Sequence, residues 1–417
     1  MKKTIITLNL LLSVILVSAQ NKTTSEKPNI ILIMVDDMGY SDLGNYGSEI
    51  KTPNLDRLAK EGTRLREFYN NSICAPTRAS LLTGQYQHKA GVGYFDVNLG
   101  LPAYQGYLNK ESLTLGEVFR SGGYSTLMSG KWHVGSEDQA QWPNQRGFDK
   151  FYGILKGASN YFDTKPLPFG KTPYPVKLIK NNIELHPKDD SYYFTDEIGN
   201  NAVTFLEEQN KENKPFFLYL AFTAPHWPLQ AKPVDIAKYR GKFDVGWDIL
   251  RERRIEKLKE NGILQGNQTI APRDPEVPEW SKLTYDEKQF WKAKMEVYAV
   301  MVDNMDQNVG KVLDKLKALK KDKNTRQAIA FLNQPKYQFE GNKDFVCTMY
   351  LNFFIRDNKL NMKVQMRSND IFYGLTFDAP FFAFVHQHMY LWLKEEAYTN
   401  LELVTYTHFE DNIHFYQ

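Results

Sequence analysis

Four short stretches of this 417-residue chain carry side chains that could do chemistry together. Asp36 and Asp37 are adjacent and close an apolar run, while Lys131 and His133 flank a tryptophan in "KWH". His226 lies between prolines in "APHWP", and Cys74 precedes Pro76 and Arg78 in "CAPTR". Paired carboxylates are hard oxygen ligands, suited to Ca²⁺ or Mg²⁺ rather than Zn²⁺ if the backbone turns so that both reach one cation. The same pair also fits a solvated Asp-rich turn, "DDMGYSDLGNYG". Lys131 and His133 fit a helix-start loop with a packed histidine, and His226 fits a stacked loop residue. A nucleophilic Cys74 needs a neighbour that lowers its pKa, and Arg78, one helical turn on, could stabilise a thiolate. The Cys-x-Pro-x-Arg spacing suits equally a linear tag that a modifying enzyme reads before folding.

Positioning these groups requires strands and helices in alternation. "NIILIMV" (29–35) is a continuous apolar run, as expected of a strand covered on both faces. Thr52 and Pro53 read as N-cap and first position of a helix with Leu55, Leu58 and Ala59 on one face and Gly62 at its end. A second helix within 112–124 stops at Gly122-Gly123, and the strand "STLMSG" (125–130) follows. "KPFFLYLAF" (214–222) is another buried strand. A long helix is expected from about Trp291 to Leu319, with Met295, Tyr298, Val302, Met305, Val309, Val312 and Leu316 at helical spacing. Such alternation implies a mainly parallel sheet with helices on both faces. Ligands of open α/β sheets bind outside the carboxyl ends of strands, where Asp36-Asp37, Lys131 to His133 and His226 all fall.

The chain opens with Lys2 and Lys3, an apolar run from Ile5 to Val17, then Val17-Ser18-Ala19. That pattern reads as a signal peptide over 1–19 and an exported, periplasmic or secreted product, with no membrane association after cleavage. No cysteine follows the apolar run to take a lipid anchor. The two cysteines, Cys74 and Cys347, lie in segments of different character and are not expected to pair. A net charge of +3 argues neither for nor against a polyanionic partner, and no nucleic acid is expected.

"CAPTRASLLTG" resembles the signature of the sulfatase family, whose cysteine becomes formylglycine (3-oxoalanine). "PNIILIMVDDMGYSDLGNYG", "TPNLDRLAKEGTRLREFY", "TLGEVFRSGGYSTLMSGKWHVG", "QRGFDKFYG" and "FFLYLAFTAPHWPLQA" carry the likeness over about 27–322. The resemblance implies an alkaline-phosphatase-like α/β fold and hydrolysis of sulfate esters, of the arylsulfatase-like type with sulfated glycans among the substrates. It implies Asp36, Asp37 and Cys74 as ligands of Ca²⁺ or Mg²⁺, and Arg78 and Lys131 as groups positioning hydrate and sulfate. His226 would protonate the leaving alcohol, and His133 would help expel sulfate. A formylglycine-generating enzyme is an implied partner.

The likeness stops at the long helix. The family's Asp-Asn-Gly motif, with two further cation ligands, and a downstream sulfate-gripping lysine are absent; Asp303-Asn304 lies inside the helical pattern and lacks the glycine. Residues 324–417 instead resemble a thymidylate synthase fragment, through "DFVCTMYLNFFIRDNKLNMKVQMRSNDIFYGLTFDAPFF" and "YTHFEDNIHFYQ". That resemblance places Cys347 at the nucleophile, Arg367, Ser368 and Asp370 at nucleotide contacts, His414 and Tyr416 at the deoxyribose, and Arg326 at a phosphate. Asp378 stands where the family reads uracil with asparagine, as in deoxycytidylate hydroxymethylases, and Thr348 and Asn352 also depart from the pattern. The expected organisation is a truncated sulfatase domain joined to an incomplete α+β fragment. The alternative to an active hydrolase is a catalytically inactive chimera, and a third reading is a pyrimidine C5-transferase relying on Cys347. "FIRDNKLNMKVQMRS" should pair with itself around "RDNK", in a sheet of its own.

Overall fold

The computed structural model describes residues 27–65, 68–168, 171–187, 191–210, 214–265 and 268–319, and the backbone of six strands beyond 326. Side-chain detail extends to residue 316. The signal-peptide segment and Arg326, Cys347, Arg367, Ser368, Asp378 and Tyr416 lie outside the described residues.

Six strands form the main sheet: β1 Ile30–Asp36, β2 Ser125–Gly130, β3 Lys150–Ile154, β4 Leu178–Lys180, β5 Ile183–Leu185 and β6 Phe216–Pro225. Their order is β1-β6-β2-β3-β4-β5, parallel from β1 to β3 and antiparallel through β4 and β5. The helices that matter below are α1 Pro53–Glu61, α2 Cys74–Thr83, α3 Leu115–Ser121, α4 Phe194–Asn210, α5 Gly246–Glu260 and α6 Tyr285–Leu319.

β6 shows why its sequence is apolar without interruption. Phe216, Leu218, Leu220 and Phe222 point into a core with α4 and α6, while Phe217, Tyr219 and Ala221 point into a second core with α2. Every residue of β6 and β2 is buried, as two covered faces require. β1 is equally apolar but forms the edge of the sheet, and its residues before Asp36 are only half-buried. Gly130 and Gly153 let the strand ends meet closely. A Cβ on Gly130 (φ +121°) would lie 1.8 Å from the Ala221 carbonyl oxygen, and one on Gly153 (φ +154°) 1.7 Å from that of Gly130.

The helix boundaries refine the sequence reading. α6 starts at Tyr285 rather than Trp291, because Thr284 and Glu287 close a capping box: each accepts a hydrogen bond from the other's backbone N–H. Its expected apolar stripe, Met295 to Leu316, joins the core formed with α4 and β6. Thr52 precedes α1 but does not cap it. Its hydroxyl accepts from Gly44 N and donates to Asp56, while the free N–H groups of Asn54 and Leu55 go to the buried carboxylate of Asp306 at 3.1 and 2.8 Å. Leu58 of α1 faces solvent.

Beyond α6 the backbone forms β7 Gln327–Phe331, β8 Thr348–Arg356, β9 Lys359–Met366, β10 Asn369–Asp370, β11 Glu402–Glu410 and β12 Ile413–His414. β8 and β9 are the expected antiparallel pair, with Arg356 opposite Lys359. β7 and β11 complete a four-stranded sheet that shares no strand with the first. β10 and β12 form a separate parallel pair that sets Asp370 opposite His414 in register.

Candidate active site

Three neighbouring parallel strands, β1, β6 and β2, end side by side and deliver the polar groups. A register irregularity between Met34 and Asp36 re-aims the end of β1, so Asp36 sits opposite Pro225. Lys131 follows β2, its N–H bonded to the Ala221 carbonyl, and His133 donates its N–H to Leu155 O. His226 follows β6 directly. Asp37 and His133 both adopt left-handed backbone (φ +58° each), a conformation uncommon outside glycine though less so for Asp and His.

Asp36, Arg78 and Lys131 form one buried cluster. Lys131 Nζ donates to Asp36 Oδ2 at 2.5 Å, and Arg78 Nη2 lies 3.4 Å from Asp36 Oδ1. Arg78 Nη1 donates to Lys131 O at 2.9 Å and to the Tyr219 hydroxyl at 3.2 Å. Burial pushes Asp36 up, but the charges of Lys131, Arg78 and His226 prevail and hold it at about 2. Arg78 is fully buried, yet its Nε has no hydrogen-bond partner among the described residues and its Nη2 has only the long ion pair with Asp36. A buried guanidinium with unmet donors is costly unless a ligand meets them.

Cys74 opens α2, half-buried and a free thiol, with Arg78 one turn further on and electrostatically coupled to it. The loop before it is pinned by Asn71, whose amide donates to Pro76 O and to Ser80 Oγ. Gly84 in the left-handed region closes the helix by donating to Ser80 O.

His226 Nε2 lies 3.5 Å from the exposed Asp37 carboxylate, and its Nδ1 lies 2.5 Å from Trp227 O. The Tyr161 hydroxyl donates to His226 O at 2.9 Å. His133 is buried, and its Nε2 lies 3.4 Å from Asp96 Oδ1. Burial and the Lys131 charge together lower its pKa to about 4, against the pull of Asp96. Asp36, Asp37, Lys131, His133 and His226 thus all fall in this region of strand ends, with Arg78 bonded into it. Asp96, Tyr161 and Tyr219 were not anticipated. Tyr219 had a signal, as the one hydroxyl within "FFLYLAF"; Asp96 had none.

The carboxylates fit a cation only in part. Both Asp36 oxygens already face cationic side chains, and Asp37 faces His226. Among the described residues, no group of three or more His, Cys, Asp or Glu is arranged to hold a metal ion. Asp303 and Asn304 lie within α6, bonded to the Tyr239 hydroxyl and to Asp235, so they add no ligand.

The sulfatase family model matches residues 28–326. The chain belongs to the sulfatase family. This sulfatase is 40% identical over 314 residues to an uncharacterized sulfatase of Schizosaccharomyces pombe, a match covering 72% of this chain and 56% of that protein. It is 35% identical over 316 residues to an arylsulfatase of Klebsiella aerogenes, covering 75% and 67% of the two chains. The crystal structure of Ps i-CgsB in complex with k-i-k-neocarrahexaose superposes with a TM-score of 0.53 at 30% identity, covering 73% of this chain and 58% of that one. The sulfatase thus spans little more than half of its fission-yeast relative and two thirds of the bacterial one. A thymidylate synthase model matches residues 247–417, overlapping the first match between 247 and 326. The mixed, mostly parallel sheet with helices on both faces is the alkaline-phosphatase-like architecture expected from the sequence. No helix among the described residues is long and apolar enough to cross a membrane.

Proposed function

We propose that residues 27–322 form a sulfate ester hydrolase whose nucleophile derives from Cys74, converted to formylglycine by a maturation enzyme. The observation that carries this reading is the spare donor capacity of buried Arg78, one helical turn after Cys74 and bonded to Lys131: its Nε has no partner among the described residues and its Nη2 has only the 3.4 Å ion pair with Asp36. That capacity is what an anionic ester group would satisfy. Hydrated formylglycine supplies a hydroxyl nucleophile for the ester sulfur. Arg78 and Lys131 set fixed positive charge against the negative charge that grows on the sulfate oxygens. His226, partly exposed beside the exposed Trp227, protonates the leaving alcohol at the mouth. His133 is neutral near pH 7, since its pKa is held at about 4, and so can accept a proton when sulfate departs.

Asp36 and Asp37 are the carboxylates offered to Ca²⁺ or Mg²⁺. Such sites use roughly six to eight oxygens, so we expect a weakly held cation and slow turnover. Trp227 beside His226 suits stacking on a sugar ring, in keeping with the oligosaccharide-bound Ps i-CgsB and a sulfated glycan substrate. The reading includes export by residues 1–19 and places no nucleic acid among the partners.

A second reading is a catalytically inactive chimera. The match of two unrelated family models to one chain, and the lack, among the described residues, of any group of three or more His, Cys, Asp or Glu arranged to hold a metal, favour it. Residues 324–417 would then be a thymidylate-synthase-like fragment without a working nucleotide site. Sulfate release from an aryl sulfate, after co-expression with a maturation enzyme, decides between them. Release by the parent chain and none by Cys74→Ala supports the hydrolase. No release by either, with the Cys74 peptide converted, supports the chimera.

A further inference from the structure

We propose that Asp96 is a positioning residue for His133, fixing the imidazole in the tautomer that carries hydrogen on Nε2 and leaves Nδ1 as the proton acceptor. The inference rests on His133 being the group that takes a proton when sulfate departs. Three features carry it.

The first is the asymmetry of the ring. Nε2 faces Asp96 Oδ1 at 3.4 Å, whereas Nδ1 is buried with no hydrogen-bond partner among the described residues. A carboxylate only accepts, so hydrogen on Nε2 satisfies both groups, and hydrogen on Nδ1 would set two acceptors against each other. The contact is long for a hydrogen bond, as such contacts often are before substrate binds.

The second is that Asp96 is itself held. Its other oxygen, Oδ2, lies 3.9 Å from Lys156 Nζ, and Lys156 is anchored to Glu137 at 2.7 Å. Burial pushes the Asp96 carboxyl up, but His133 and then Lys156 prevail and hold it below its ordinary value, while the Lys156 contact takes Oδ2 and leaves Oδ1 for the imidazole. The charges acting on the ring are then Lys131 and Arg78, opposing protonation, and Asp96, favouring it. A neutral base results whose protonated form gains the Asp96 charge as a counter-ion.

The third is Gly157. A Cβ there would lie 2.6 Å from His133 Cε1 and 2.7 Å from Nε2. Any other residue would displace the ring edge that meets Asp96. In the proton transfer, Nδ1 gains one proton, the imidazolium then carries hydrogen on both nitrogens, and Asp96 stays unprotonated throughout.

The test is nitrogen-15 NMR of the full chain with labelled histidine, the His133 signals being assigned by their loss in His133→Gln. Near neutral pH, Nε2 should show the shift of a protonated ring nitrogen and Nδ1 that of a bare one. Asp96→Asn should mix or reverse the two forms and, in the matured enzyme, lower kcat about 100-fold with KM little changed. Asp96→Glu should restore the tautomer and part of the rate. Hydrogen on Nδ1 in the parent chain, or an unchanged tautomer and kcat in Asp96→Asn, overturns the proposal. The NMR arm needs no turnover, so it separates this proposal from the functional reading. Sulfate release that survives Cys74→Ala would sink that reading and leave the tautomer result standing.

Discussion

Two clusters of carboxylates and cationic side chains lie on either side of the loop that follows β1, and they are built to opposite specifications. Arg254 of α5 is fully used: Nε and Nη2 meet Glu49 at 2.9 and 2.6 Å, and Nη1 meets Asp42 at 2.6 Å. Asp42 also accepts from the Tyr298 hydroxyl at 2.6 Å and from Gly39 N at 2.8 Å. That cluster ties the loop to α5 and α6 and leaves nothing to offer a ligand. Arg78 is more deeply buried and less well satisfied, with Nε unpartnered among the described residues and Nη2 held only by a 3.4 Å ion pair to Asp36. A fold tolerates unmet buried donors where function needs them, so the difference separates a structural clamp from a binding group.

The sharpest way to break this comparison is to remove each arginine in turn. Arg254→Met strands two carboxylates and should cost roughly 4 kcal/mol of stability, seen as a lower midpoint in urea unfolding. Arg78→Met should cost clearly less, because Lys131 still pairs with Asp36 and the unmet donors disappear with the side chain. Equal losses would show that both clusters are structural.

A second contrast is in pH. His133 has a folded pKa of about 4 against an ordinary 6.5, so the unfolded chain binds the proton more readily. Its contribution is therefore present in full above pH 6.5 and is lost as pH falls towards 4, about 3 kcal/mol in all. His133→Gln should flatten the stability profile in that window. A profile just as steep in the variant would contradict the burial-driven shift.

The smallest effect concerns a carboxylate on the structural side. Asp306 holds the first turn of α1 from 251 to 252 residues away, and Asp306→Asn should cost about 1 kcal/mol by thermal unfolding. A Thr52→Val change should act through Gly44 and Asp56 rather than through the helix end, since Thr52 does not cap it.

These pairs also mark where sequence reading succeeds and where it stops. β6 was legible because both its faces are buried, which writes an unbroken apolar run, and α6 because one face is buried, which writes a helical period. The gathering of Asp36, Asp37, Lys131, His133 and His226 was legible because they follow strand ends, next to the apolar runs that announce them, whereas Cys74 and Arg78 lie on α2 and were marked only by the Cys-x-Pro-x-Arg stretch. Asp306, Asp96 and Arg254 were not, since each acts on a partner far away in the chain and obeys no local period. The start of α6 was readable in principle, as Thr284 and Glu287 spell a capping box. Beyond residue 326, the pairing of β8 with β9 followed from a local turn, whereas β7 and β11 joined the sheet from a distance.

The central claim is that the incompletely satisfied arginine marks the reacting site. The direct test is the initial rate of sulfate release from an aryl sulfate by matured Arg78→Met and Arg254→Met, each scaled to its folded fraction. The account predicts a loss of about 100-fold to 1000-fold for Arg78→Met and a change within about threefold for Arg254→Met. Equal rates per folded molecule would contradict it.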